Sequence, residues 1–239
     1  LRPAAPLEAK GEVHSFDLSP TGKLLALGTT SPPTLELLST ETGKPKAAVP
    51  LKVKGDGNAS VADVAFHPGG KTLAVAVTEV TGVLLVNVDD GKVAAELPLP
   101  EGFDSSVVRI AFDSRGKLLG AGTLEHGAFV CDIESKRVMA TFRSEGWRVD
   151  ALDFSPDSKL LASAVSQDIG FKTASRIEVF DLLTGLRVFE RQAHTDTVNA
   201  LRFVQKGKLL ASSDYGGSIR LWGIDEEKRT DPPGGPSKK

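Results

Sequence analysis

The sequence is poor in the residues that staple or metallate a fold. Its single cysteine, Cys131, has no partner for an internal disulfide, so packing alone must hold the chain together. None of the four histidines (His14, His67, His126 and His194) stands three or four residues from another His, a Cys or a paired carboxylate, and no metal or cofactor is expected. Aromatic residues are scarce at eleven Phe, two Trp and one Tyr, so a core must be built mainly from Leu, Val and Ala. Neither sign of charge dominates: 29 basic against 31 acidic side chains leave a net charge of −2, which removes the broad positive field that nucleic acid or an anionic membrane would need. No apolar run approaches the roughly 18 to 20 residues that span a bilayer. No signal-like segment opens the chain, whose start at Leu1 points to processing or to excision from a longer polypeptide. Nucleophile elbows and phosphate-cradling glycine loops are missing as well.

What the chain has in quantity is itself. Five segments repeat one pattern: FDLSPTGKLLALGTT from Phe16, VAFHPGGKTLAVAVT from Val64, IAFDSRGKLLGAGTL from Ile110, LDFSPDSKLLASAVS from Leu152 and LRFVQKGKLLASSDY from Leu201. Aligned on phenylalanine, the anchors are Phe16, Phe66, Phe112, Phe154 and Phe203, 42 to 50 residues apart. A period of about 40 to 50 residues is that of a propeller blade. In the fourth unit, Val149 to Phe154 alternates apolar and polar as one strand. Ser155-Pro156-Asp157-Ser158 then turns the chain, Lys159 to Val165 returns it, Arg176 to Leu182 makes a third strand, and Leu186 to Glu190 makes a fourth after Thr184-Gly185. Four such strands make one blade.

A second column runs down the third strands: Leu38, Val86, Cys131, Phe180 and Trp222, followed by Ser39, Asn87, Asp132, Asp181 and Gly223. Cys131-Asp132 and Phe180-Asp181 stand where a Trp-Asp pair is usual, and here the chain resembles the WD-repeat family over residues 13–225, with YVTN-type propellers as the nearest alternative. The fifth unit resembles it most, through Ala193-His194, Leu209-Leu210-Ala211-Ser212 and Ile219-Arg220-Leu221-Trp222. The resemblance implies an all-β fold, a β-propeller of four-stranded antiparallel blades in five repeats near 13–53, 61–100, 107–143, 149–191 and 198–225. It also implies a hydrogen-bonded His, Ser or Thr, Asp and Trp set within a blade. Units one to four lack its His and Trp, and in the fifth the turn-Asp slot falls on Gly216 with Asp214 two residues early, so the set is expected to be incomplete. The last unit stops after three strands. Leu1 to Leu7 is expected to supply the fourth and close the ring, although Pro3 and Pro6 confine it to an edge. Residues 227–239 read as a charged, Pro/Gly-rich tail.

Function is expected on the loops that follow second and fourth strands. Phe103, Trp147, Arg148, His194 and Tyr215 are large side chains in such loops, of types that dominate binding hot spots, and Phe171 belongs to the long insertion Ser166 to Ser175, which a blade does not need. Against this, Phe103 and Trp147 also suit inward packing, and His194 suits a brace for the last blade. Cys131 sits in an apolar column and reads as an inert thiol, His67 as turn filler, and Asp89-Asp90 and Glu226-Glu227 as solvated turn and tail charge. The expected function is therefore a non-catalytic scaffold or recognition module for a protein or peptide, without nucleic acid or membrane as a partner. It would be monomeric if the ring closes and self-associating if it does not. The rivals are a metal-dependent, lactonase-like propeller enzyme and a sensor or structural module of a larger protein.

Overall fold

Antiparallel pairing follows directly from the short strands and tight polar turns of each repeat. The computed structural model describes residues 9, 11–30, 32–51, 59–80, 82–170 and 172–224. The first sheet is ordered β1 (Val13–Leu18), β2 (Leu24–Thr29), β3 (Thr34–Ser39), β4 (Pro45–Pro50), and the second β5 (Val61–Phe66), β6 (Thr72–Val77), β7 (Gly82–Asn87), β8 (Val93–Pro98). The third holds β9 (Val107–Phe112), β10 (Leu118–Thr123), β11 (Gly127–Asp132) and β12 (Arg137–Arg143); the fourth holds β13 (Arg148–Phe154), β14 (Leu160–Ile169), β15 (Lys172–Asp181) and β16 (Arg187–His194). The fifth has three strands among the described residues, β17 (Val198–Val204), β18 (Leu209–Asp214) and β19 (Ile219–Gly223). The proposed closing strand Leu1 to Leu7 and the tail lie outside the described residues.

The turns between first and second strands explain why the repeat is legible. In the first sheet Gly22, at φ 67°, donates its N–H to Ser19 O at 2.7 Å, and Leu24 N–H bonds Ser19 Oγ at 3.0 Å. Asp113 and Ser155 cap the same turn in the third and fourth sheets, through Leu118 N–H at 2.8 Å and Leu160 N–H at 2.9 Å. A short polar side chain that bonds its own backbone favours this turn over continued strand.

Two compact units divide the chain, Leu1–Phe112 and Asp113–Lys239. In the first, Val61, Val64 and Phe66 of β5 pack with Ala26, Leu35 and Leu37 of the first sheet. In the second, Val198, Leu201 and Phe203 of β17 pack with Ala162, Ala164, Ile177 and Val179 of the fourth. Outermost strands such as β4 and β8 are largely exposed.

Three expectations from the sequence need correction. Val149 to Phe154 does not alternate strictly: a bulge between Val149 and Ala151 shifts the strand register at Asp150 and buries four consecutive residues. The same bulge recurs in β1, β5 and β17, where it brings the leading Val and the later apolar residues onto one face. Phe16 is not the anchor of its unit. The register sets Leu18 opposite Leu25 as it sets Phe66 opposite Leu73, and Phe16 itself is 67% exposed. Finally, Ser166 to Ser175 is not an irregular insertion, because β14 and β15 stay paired from Ser166↔Ser175 out to Ile169↔Lys172.

Candidate functional site

Antiparallel order sends the connections after second and fourth strands out at the same end of a sheet. In the second unit this end gathers the β10–β11, β12–β13, β14–β15, β16–β17 and β18–β19 connections. The corner with the most organised chemistry is the β12–β13 connection. Ser144 N–H bonds His126 O at 3.1 Å, Gly146 N–H bonds Glu125 O at 2.7 Å, and Trp147 N–H bonds Ser144 O at 3.1 Å. Backbone bonds thus fix the loop before any side chain is considered.

Beneath Trp147 lies Glu178 of β15, only 1% exposed. Its carboxylate accepts from Ser144 Oγ at 2.8 Å and from Arg187 Nη1 at 2.7 Å, and it pairs with Arg176 Nη2 at 3.1 Å. A buried carboxylate is tolerable only when ionic and hydrogen-bonded partners surround it, as here. Arg176, held by that pairing, lays its guanidinium over Trp147 with Cζ 4.1 Å from the ring centroid. Trp147 is half-buried, and Arg148 beside it is exposed while its Nε donates to buried Asp150 Oδ1 at 2.7 Å. At the rim, Glu145 pairs with His126 Nδ1 at 2.8 Å and with Arg143 Nη1 at 2.7 Å, and these bonds hold its carboxyl below the usual carboxylate range.

The other sequence candidates fare differently. Trp147 and Arg148 share one corner, whereas Phe103 in the first unit is buried and packs inward. Tyr215 is 70% exposed at the β18–β19 turn, held by its N–H on Thr197 O at 3.1 Å. Phe171 lies outside the described residues; Ile169, at the end of β14, is exposed. Neither Arg176 nor Glu178 was a candidate. The third-strand slot of Glu178 holds Glu36, Leu84, Phe129 and Arg220 in the other sheets, so charge at that slot did not by itself mark the site.

His194 is buried, and the polar set expected to be incomplete is complete. His194 Nδ1 lies 2.7 Å from Asp214 Oδ2, His194 Nε2 lies 2.7 Å from Ser212 Oγ, and Trp222 Nε1 donates to Ser212 Oγ at 2.9 Å. Donation runs consistently from Trp222 to Ser212, from Ser212 to His194 Nε2, and from His194 Nδ1–H to Asp214. Counting to a turn slot missed Asp214 because it is the last residue of β18. From there its Oδ1 accepts the Ser218 N–H at 2.7 Å and closes the turn. This bond first, with His194, keeps the Asp214 carboxyl below its ordinary value against the opposing effect of burial. The set braces the last sheet.

Carboxylates on first strands act as straps between sheets. Asp17 Oδ2 accepts Phe66 N–H at 2.7 Å, Asp63 Oδ2 accepts Ile110 N–H at 2.9 Å, and Asp153 Oδ2 accepts Phe203 N–H at 2.7 Å. Burial raises the Asp63 and Asp153 carboxyls, and these backbone donors partly offset it. Among the described residues no three His, Cys, Asp or Glu side chains gather into a cation-sized cluster, and no helix is long and apolar enough to cross a membrane. Cys131 is fully buried, which pushes its thiol up to about 12.

Comparison with known proteins points the same way. The family described as WD domain, G-beta repeat matches residues 136–168 and 185–223. Periodic tryptophan protein 2 of Arabidopsis thaliana is 25% identical over 118 residues, which is 49% of this chain and 12% of that protein. Cilia- and flagella-associated protein 52 of Chlamydomonas reinhardtii is 25% identical over 132 residues, 52% of this chain and 20% of that protein. The chain therefore spans a fifth or less of the length of these relatives. Among solved structures, the β-propeller domain of Cps50 (Swd1) of Myceliophteria thermophila is similar with a TM-score of 0.70 at 16% identity, over 94% of this chain and 69% of that one.

Proposed function

From the premise that the chain is a WD-repeat β-propeller protein, we propose that it serves as a non-catalytic recognition module that grips a protein or peptide partner at the loop end of its second unit, with Trp147 and Arg148 as the anchor. WD-repeat propellers generally act by binding rather than by catalysis. One observation carries the reading: an indole left half-exposed but fixed flat on Arg176, which is itself held by a buried carboxylate. A rigid aromatic with an exposed arginine beside it loses little freedom on binding, the property of an interface hot spot.

The strap and brace roles of the first-strand carboxylates and of His194 leave these groups occupied in the fold, which supports a module without catalysis. The small share of the relatives' length that is matched supports a module within a larger protein, working alongside other parts. Trp147→Ala is expected to weaken binding of a peptide selected against the chain by about 30-fold or more, measured by titration calorimetry, with Trp147→Phe intermediate. Equal affinity for all three proteins, at unchanged unfolding midpoints, would remove this corner as the anchor.

A further inference from the structure

Every repeat places a lysine just before its second strand: Lys23, Lys71, Lys117, Lys159 and Lys208. Its carbonyl accepts the N–H of the residue just beyond the third strand, as Lys23 O does from Thr40 and Lys71 O from Val88, both at 3.0 Å. Register then sets the last residue of the third strand opposite the residue after the lysine: Ser39 opposite Leu24, Asn87 opposite Thr72, Asp132 opposite Leu118 and Asp181 opposite Leu160.

That slot caps the turn into the fourth strand in each of these sheets, but its charge differs. Asp132 Oδ1 accepts Ser135 N–H at 2.7 Å and Asp181 Oδ1 accepts Thr184 N–H at 2.8 Å. Ser39 Oγ accepts Thr42 N–H at 3.3 Å, and Asn87 Oδ1 accepts Asp89 N–H at 2.8 Å. The Ser135 backbone and hydroxyl bonds, with Lys117 helping, hold the Asp132 carboxyl below its ordinary value. In the third sheet the cap therefore offsets its lysine. In the first two sheets the caps are neutral, and Lys23 and Lys71 have no counter-charge at that slot. Lys46 adds to the imbalance, because it occupies a fourth-strand bulge position held by Ala94 and Met139 in the second and third sheets.

Lys23, Lys44, Lys46 and Lys71 line one groove of about 690 Å³ in the first unit, with Glu41 the single carboxylate among its described lining residues. It runs between the β1–β2 and β3–β4 turns of the first sheet and the β5–β6 turn of the second. All four lysines are exposed, and no carboxylate among the described residues forms an ion pair with any of them. The turns that carry them are tied together: Thr40 Oγ1 donates to Gly22 O at 2.6 Å, and a Cβ on Gly70 would lie 3.6 Å from Pro20.

We infer that this groove is a second recognition surface, independent of the Trp147 corner, and that its occupant is an extended acidic segment of a partner protein whose Asp or Glu side chains meet the four lysines. Charge complementarity carries the choice: four ammonium groups face one carboxylate in a chain whose net charge is −2. No arginine lines the groove among the described residues, so it lacks the planar fork that favours a single phosphate or a nucleic-acid backbone. Lysines are point charges. Those beside β2 and β4, about 9 to 10 Å apart across β3, suit carboxylates spaced along an extended peptide.

The test titrates the 239-residue chain into a short labelled peptide of alternating Asp and Glu, and into its Asn/Gln counterpart, read by fluorescence anisotropy at low salt. Saturable binding is expected for the acidic peptide alone, and added salt is expected to abolish it. Affinity is expected to fall by about 10-fold or more in K23E/K71E and in K44E/K46E. K159E/K208E has the same net charge as either, with both substitutions outside the groove lining, and is expected to stay within about 2-fold of wild type. The substituted lysines are exposed, so circular dichroism and the unfolding midpoint are expected to be unchanged; if a charge reversal unfolds the chain, K23Q/K71Q and K44Q/K46Q make the same comparison. No saturable binding, equal affinity for the Asn/Gln peptide, or an equal loss in K159E/K208E overturns the inference. Tighter binding of a phosphoserine peptide or a single-stranded RNA of matched charge overturns it as well, since the occupant would then be of another class.

Discussion

At the scale of single residues, the same residue type has opposite worth in different units because its neighbours differ. The Phe154 ring lies so close to Gly120 that a Cβ there would come within 3.1 Å of it, whereas Phe16 is mostly in water. Phe154→Ala is expected to cost about 3 to 5 kcal/mol, and Phe16→Ala less than about 0.5 kcal/mol in dilute solution, both read from urea denaturation. Asp214 yields a pH signature. Its native carboxyl lies below the ordinary 3.8, so the stability it contributes is fully present above that value and is lost as pH falls through the lower native one. Asp214→Asn is therefore expected to destabilise the chain at neutral pH, by a margin that shrinks to nothing on acidification below 3.8. Denaturation midpoints of both proteins along a pH series check this. A margin independent of pH would mean that the charge of Asp214 does not matter. Asp63 and Asp153, with raised values, work in the opposite sense and oppose stability once ionised, so the comparison must be between the two proteins rather than on one curve.

At the scale of elements, close approach of sheets depends on small residues in second strands. A Cβ on Gly122 of β10 would collide with the Val149 side chain of β13, and one on Gly28 of β2 with Val61 of β5. The leading Val reaches that glycine because the first-strand bulge turns it onto the joint face. Gly122→Val is expected to destabilise the chain by about 1 to 3 kcal/mol through overpacking, measured by chemical denaturation. A change within about 0.5 kcal/mol would show that the sheets can separate at no cost. The extended β14–β15 hairpin shows the limit of reading elements by analogy. Residues beyond the repeat's usual strand length read as a loop, yet backbone pairing continued through them because nothing in Ser166 to Ile169 breaks a strand.

At the scale of the whole molecule, near balance of charge means that recognition has to come from a local surface. With a net charge of −2, the chain is expected to leave the fluorescence anisotropy of a labelled DNA duplex unchanged at moderate salt, since non-specific binding needs an excess of basic contacts. Saturable, salt-sensitive binding would contradict this. The repeat, the four-strand grammar, the capped turns and the apolar third-strand column were legible along the chain, because each depends on residues within a few positions of one another. Cys131 as a buried thiol followed from its column alone. The anchor in the first unit, the completed His194 set and the Arg176–Glu178 support under Trp147 were decided only in three dimensions. Burial of Phe16 or Phe154 depends on whether another sheet lies against it, and Asp214 meets His194 across 20 residues of chain. Glu178 is stabilised by Ser144 from the β12–β13 connection, 34 residues away in the chain. Sequence determines what each strand can do on its own, and packing between sheets decides which of those possibilities is realised, because desolvation and hydrogen-bond partners come from residues far away in the chain.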